Sequence, residues 1–379
     1  MPVLVDHDEG RLLPSSAELE FAASPMRISP LLAAACLLCV GLGAACSSSE
    51  SNATPTPITD AGSEDSAFRR PPVDDDAGEL GPTTGPALLS QTGLYSDFAS
   101  RTLAGDLFTF APRYEFWADG GKKSRYLSLP PGTKIDTSRI DDFTFPVGTK
   151  AFKEFRYDGK LVETRLLMKV REGTGNKSWW QVAYVWRPDG SDAVATPLGA
   201  TAALGTTHNV PNQTDCANCH GGVSDVMLGV SAIQLSDPAT NPLVALNAAG
   251  KLSTAPPAVI DVPGTGVVKD ALGYLHGNCG HCHNDESVRL NTQTKMRLRL
   301  LVGQSTPEET GAYTTTVGTV MKHTLPNGVT DVVVKGNPEQ SGLWLRMGLR
   351  DFYGMPPAGT QVVDDVGRET VRQWIVGWP

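Results

Sequence analysis

Three things are scarce in this sequence, and each scarcity excludes something. There is no run of five or more basic residues, and the formal net charge is −9. Nucleic-acid backbones are bound by clustered Lys and Arg, so nucleic acid is excluded as a partner. There is no apolar run of the roughly twenty residues that a membrane-spanning helix needs; the longest, Leu31 to Leu42, is about a dozen. Cysteine is also sparse, at seven in 379 residues. Cys36, Cys39 and Cys46 sit in that N-terminal apolar segment, and the other four form two C-x-x-C pairs. No cysteine is left over for cross-links in the body, which argues against a disulfide scaffold. What is present suits a globular protein: 40% hydrophobic and 7% aromatic residues, in a length that accommodates two cores and some non-globular sequence.

The N-terminus reads as an address. From Met26, a plausible start that would make residues 1–25 an upstream leader, "MRISPLLAAACLLCVGLGAACSSSES" carries a positive Arg27, a short apolar core and small residues before Cys46. It resembles a bacterial lipoprotein signal in which Cys46 is lipidated, although Gly43 stands where leucine is usual and Leu42 lies one step further away. The alternative is an ordinary cleaved signal with Cys46 unmodified. Residues 47–87 are rich in Ser, Thr, Pro and Asp with almost no large apolar side chains, so they are expected to be a disordered acidic tether.

Residues 88–206 carry strand signals. Asp-Gly pairs at 119–120, 158–159 and 189–190 lie between β-rich runs, a strong hairpin signal. Val162, Thr164, Leu166, Met168 and Val170 would share one strand face, with Glu163, Arg165 and Lys169 on the other. Trp180, Val182, Tyr184 and Trp186 form a second alternating row, suited to filling a core, with a carbohydrate platform as the alternative. These signals predict an antiparallel β sandwich or barrel-like domain. Further on, Asn337 and Pro338 offer an N-cap and first helical position, and Asp364 or Asp365 would cap a last helix bearing Val371, Trp374, Ile375 and Trp378. The expected class is α+β and multidomain: the β-rich domain at 88–206, a first cofactor-binding segment at 207–262 and a helical domain at 263–379.

The chemistry lies in "DCANCHGG" and "HGNCGHCHND", which place Cys216, Cys219 and His220, then Cys279, Cys282 and His283, in the order C-x-x-C-H. Two thiols separated by two residues on a helical turn can each form a thioether with a heme vinyl group, and the next residue offers its imidazole to the iron. Zinc held by four thiolates does not require a histidine after each pair, and a thioredoxin-like motif expects a single pair near a βαβ pattern. The expectation is therefore two covalently bound c-type hemes with His220 and His283 as proximal iron ligands, which makes the helical domain a cytochrome c domain. "MPPAG" puts Met355 before two prolines that would present its sulfur rigidly to the second iron. Ala271 and Leu275 stand where the first helix of a class I cytochrome c packs against the last. Opposite His220 the candidates are His208, Met227 and His323, or an open iron. His276 and His281 lie too near their own proximal side and are expected at the surface or beside a propionate. His7 falls in the leader.

The stretches "FAPRYEFWADGGKKSRYLSLPPGTKID", "FPVGTKAFKEF", "VETRLLMKV", "VPNQTDCANCH", "LGVSAIQL", "NCGHCH" and "GNPEQSGLWLRM…MPPAG…VRQWI" resemble a family of bacterial diheme c-type cytochromes. The resemblance covers Leu88 to Pro379 and departs at "YLHGNC". It implies a secreted or lipid-anchored protein, a β domain followed by a cytochrome c domain, heme at both motifs and Met355 as a ligand, but no substrate. The expected function is electron transfer between redox partner proteins. The site would be the periplasm or outer membrane of a Gram-negative bacterium, with a lipid anchor as the sole membrane attachment. An acidic surface would steer a basic partner. Bis-histidine ligation at the first iron would set its potential below that of the second. The alternative is a peroxidase- or oxidase-type enzyme with an open first heme and an acid or base such as His208 or Glu154. A carbohydrate- or partner-binding β domain is a third reading.

Overall fold

The computed structural model describes residues 80–287 and 294–378. The leader with Cys46 and residues 47–79 of the expected tether lie outside the described residues. Among the described residues there are eight strands and seven α-helices, so the mixed α+β class holds. No helix among them is long and apolar enough to cross a membrane.

Six strands form one antiparallel sheet in simple chain order: β3 (Phe108–Phe110), β4 (Lys122–Ser128), β5 (Lys150–Tyr157), β6 (Lys160–Lys169), β7 (Trp179–Trp186) and β8 (Ala193–Ala195). β1 (Tyr95–Asp97) and β2 (Thr102–Leu103) pair separately. Asp158 and Gly159 have φ of 48° and 75° and join β5 to β6 with Tyr157 opposite Lys160, as a tight hairpin requires. Asp189-Gly190 lies in the β7–β8 connection. Asp119-Gly120 also turns sharply, with the Gly121 amide on the Ala118 carbonyl. It lies near the end of the long connection from β3 to β4, whose ladder begins only at Phe110 opposite Arg125, so it is not the tight hairpin turn expected there.

The expected sandwich or barrel is replaced by an open sheet whose ladder ends at β3 and β8, with a different layer on each face. On one face Tyr126, Phe152, Leu166, Trp180, Val182, Tyr184 and Trp186 form a core with Leu89 and Leu94, so the tryptophan row fills a core. The tether ends earlier than residue 87. The Ala87 carbonyl accepts the Ala195 amide at 2.9 Å, the Pro86 carbonyl accepts the Tyr184 hydroxyl at 2.9 Å, and a Cβ on Gly85 would meet the Trp180 ring at 2.5 Å. This segment is held by its backbone, which its apolar-poor composition does not reveal.

The other face looks inward, onto the helical segment. Leu127, Ala151, Leu167 and Trp179 share one core with Met227, Leu272, Leu275, Trp374 and Ile375. The β-rich and helical parts are therefore joined by common packing. The helices are α1 (Gln213–His220), α2 (Ala232–Leu235), α3 (Pro242–Ala248), α4 (Gly266–Asn278), α5 (Gly311–Thr314), α6 (Gly342–Met347) and α7 (Asp365–Val376). Ala271 and Leu275 of α4 are fully buried with Val371 and Ile375 of α7. Gly367 permits this approach, since a Cβ there would stand 2.0 Å from the Tyr274 ring. Asp364 caps α7 by accepting the Gly367 amide at 3.0 Å. Asn337 makes no side-chain cap. Pro338 opens only a single tight turn, after which the Ser341 hydroxyl donates to the Asn337 carbonyl at 2.8 Å and α6 begins beyond it.

The charged residues of β6 face this interior. Lys169 donates to Asp225 at 2.7 Å, and Asp225 also accepts the Trp179 indole at 2.7 Å and the Phe145 amide at 2.8 Å. Both charges are buried. Removing one partner of such a pair strands the other, so Asp225→Ala should destabilise the protein by about 3–5 kcal/mol in denaturant unfolding. A loss within the ~1 kcal/mol typical of exposed pairs would contradict this role.

Candidate functional site

The first motif occupies the end of α1. Asn212 starts the helix, accepting the Asp215 amide at 2.9 Å while Asp215 accepts the Asn212 amide at 3.3 Å. This reciprocal cap fixes a helix of eight residues. The His220 Nδ1 donates to the Val226 carbonyl at 2.6 Å, which leaves Nε2 as the basic nitrogen. A backbone partner of this kind orients histidines that ligate metals. Val226 holds its carbonyl there with φ of 51°, a costly conformation for a β-branched residue. Burial pushes the His220 pKa down to about 4, so the ring is neutral.

The second motif forms the turn after α4. The amides of Cys282 and His283 return to the Cys279 carbonyl at 3.1 and 2.9 Å. His283 is buried, and burial, followed by Arg297, lowers its pKa to about 4. The Met296 backbone favours the charged form from nearby but is not aligned to bond Nδ1, which has no partner among the described residues.

The fold brings the two motifs together. Gly222, two residues after His220, packs on the second motif so closely that a Cβ would lie 2.1 Å from the His281 carbonyl oxygen and 3.5 Å from the Cys282 Cα. Asn284 ties the junction by donating to the Gly222, Gly280 and His281 carbonyls at 2.8, 2.8 and 2.9 Å. None of the four motif cysteines is in a disulfide. Burial pushes the Cys216 and Cys279 thiols up to about 12. Among the described residues no three His, Cys, Asp or Glu side chains gather to hold a metal ion.

The two motifs border internal space lined in part by apolar and aromatic side chains. His220, Cys279 and His281 lie deep among protein atoms yet keep accessible surface, as side chains bordering an internal space do. A cleft adjoins the second motif, lined in part by Phe116, Phe145, Met227, His276 and His281. Among the described residues the buried Nδ1 atoms of His281 and His283 have no hydrogen-bond partner. A heme thioether-linked at each motif would be held by Cys216 and Cys219, or Cys279 and Cys282, with His220 or His283 offered to its iron.

The remaining candidates scatter. Met355 is half-buried, with its amide on the Arg346 carbonyl at 2.9 Å. The chain beyond it is pinned where Asp119 accepts the Gln361 and Val362 amides at 2.9 Å and the Val362 carbonyl accepts the Trp117 indole at 2.9 Å. His208 differs from expectation. Its Nε2 bonds Glu163 at 2.6 Å, its Nδ1 bonds the Tyr157 hydroxyl at 2.9 Å, and its ring stacks on Phe155 and Tyr157. With both nitrogens engaged, it has none to offer an iron. His323 is exposed. Glu154 lies on the far face of the sheet, bonded to Tyr95, Tyr126 and Arg156, away from both motifs. Met227 is buried beside Val226. His276 is buried rather than at the surface, and its Nδ1 accepts the Leu300 amide at 3.0 Å.

The sequence reading missed Asn284, Asp225 and the inward cations of the sheet. Comparison with known protein families, characterised proteins and solved structures finds no match to this chain.

His276 carries a pH signature. Burial, then Arg299, pushes its pKa down to about 3 from 6.5. Between those values the unfolded chain binds a proton that the folded protein refuses, so stability falls as pH drops through that window. Unfolding free energy measured from pH 6.5 to 3 should fall less steeply in His276→Gln than in the wild type. An identical slope would contradict the assignment.

Proposed function

We propose that this chain is an exported diheme c-type cytochrome that carries electrons between redox partner proteins. The observation that supports this best is the contact of Gly222 with the His281 backbone, which brings two C-x-x-C-H motifs to one junction. Heme supplies one-electron chemistry when bound. The chain's own part is to keep His220 and His283 neutral and, for His220, to orient the ring through the Val226 carbonyl. In this reading Met355 ligates the second iron from a loop clamped by Asp119 and Trp117. Export and lipidation at Cys46 complete the proposal. Its partners in this reading are redox proteins; the net charge of −9 falls on residues 1–87, and residues 88–379, with 28 Asp and Glu against 28 Lys and Arg, are neutral overall, so the charge does not select a basic partner.

A second reading gains support from His208. With that histidine committed to Glu163 and Tyr157, and His323 exposed, Met227 is the remaining named candidate opposite His220. If it does not serve, the first iron is open to a small ligand, as in a peroxidase-type enzyme.

EPR and absorption spectra of the oxidised protein separate the two. Electron transfer predicts two low-spin hemes, a far-red Met–iron band lost in Met355→Ala, and no turnover of hydrogen peroxide. One high-spin heme together with peroxide turnover would replace this reading with the enzyme.

A further inference from the structure

Three cations stand side by side across the inward face of the sheet. Arg125 on β4 is directly opposite Lys153 on β5, and Lys153 is directly opposite Arg165 on β6. Like charges in direct cross-strand register repel, and burial removes the water that would screen them. Lys123, one pleat along β4, extends the row. Two carboxylates form ion pairs with these cations. Glu115 pairs with Lys123 at 3.3 Å and with Arg125 at 3.0 Å, while Glu163 pairs with Arg165 at 2.6 Å and with His208 at 2.6 Å. Asp364 acts on Lys123 from the end of the row. Lys153, in the middle, feels Glu163 as a counter-charge, but Glu163 is already committed to its other partners. One terminal nitrogen of Arg125 is buried with no hydrogen-bond partner among the described residues.

The row lies where the two motifs meet. Arg165 acts on the Cys216 thiol, and both Lys153 and Arg165 act on the His220 ring. Lys153 also acts on His281, whose ring lies 5.0 Å from that of Phe116. Lys153 lies deep among protein atoms yet retains accessible surface, so it faces an internal space rather than outer solvent. Its ammonium sits 5.5 Å from the Phe116 ring centre and 4.9 Å from that of Phe155. Phe155 is fully buried beneath His208 and Arg165, so Lys153 is held against a closed aromatic wall on that side and meets the internal space beside Phe116.

We propose that Lys153, flanked by Arg125 and Arg165, binds the carboxylate side chains of the group attached at Cys216 and Cys219, namely the propionates of a heme. The proposal rests on the heme-bearing reading above and adds to it the residues that neutralise the group's charge. Among the described residues Glu115, Glu163 and Asp364 leave Lys153 as the one cation of the row with no carboxylate of its own, and a heme propionate would supply it. The cations keep those carboxylates ionised and raise the reduction potential of that heme by disfavouring its more positive oxidised state.

The test uses the full, heme-loaded protein. In the wild type, the first heme's midpoint potential should be independent of pH from 5 to 8, because its propionates do not titrate there. In Lys153→Met that potential should fall and become pH-dependent, and the propionate bending mode in the resonance Raman spectrum should shift. Lys153→Arg should restore all three, and the exposed Lys122→Met should change none. A wild-type potential that follows pH overturns the proposal even if no variant folds, as does Lys153→Met with an unaltered potential and propionate mode. A pyridine hemochrome assay showing no heme would instead overturn the underlying reading, so the two failures are distinguishable.

Discussion

A buried carboxylate ties the loop after the first motif to the sheet. Asp225 gathers the Lys169 ammonium, the Trp179 indole and the Phe145 amide, and it does so one residue before Val226. Because Asp225 is fixed, Val226 is held with φ of 51° and its carbonyl faces the His220 Nδ1. The tautomer of a candidate iron ligand thus depends on an ion pair formed with strand β6. Such a pair is not a cheap source of stability, since both charges lose water. Its value here is positional: it anchors a loop rich in turns to a rigid ladder.

Much of the architecture was legible because it is written in local patterns. Alternation along β6 and β7 identified which residues share a face, Asp158-Gly159 marked a hairpin, and Asp364 marked the start of α7. Helical spacing marked Val371, Trp374 and Ile375 as one apolar surface, while Ala271 and Leu275 were expected against it only by likeness to a class I cytochrome c; the two surfaces do meet. Period-two alternation, however, says which residues lie on one side of a strand and not what covers that side. Glu163, Arg165 and Lys169 therefore gave no sign that they point into the protein. Nor does any local pattern announce that Gly222 meets His281, a contact between segments about sixty residues apart in sequence that depends on how α1 and α4 are hung from the common core.

His208 illustrates the same limit. Its position eight residues before Cys216 made it a natural candidate for a second axial ligand. The sheet claims it first. Stacked on Phe155 and Tyr157 and bonded to Glu163, it closes a polar network that would otherwise leave a buried carboxylate with Arg165 alone. A histidine near a C-x-x-C-H motif is equally able to satisfy a core acid, and only the neighbouring strands decide between those uses.

The account stands or falls on whether both motifs carry heme when the protein is exported and matured. Intact-mass measurement of the purified full chain under denaturing conditions tests this directly. The account predicts a mass increased by two hemes, reduced to one heme when Cys216 and Cys219 are both replaced by Ser and again to one when Cys279 and Cys282 are replaced. A wild-type chain with no added heme, or with the same single heme whichever pair is removed, would contradict it.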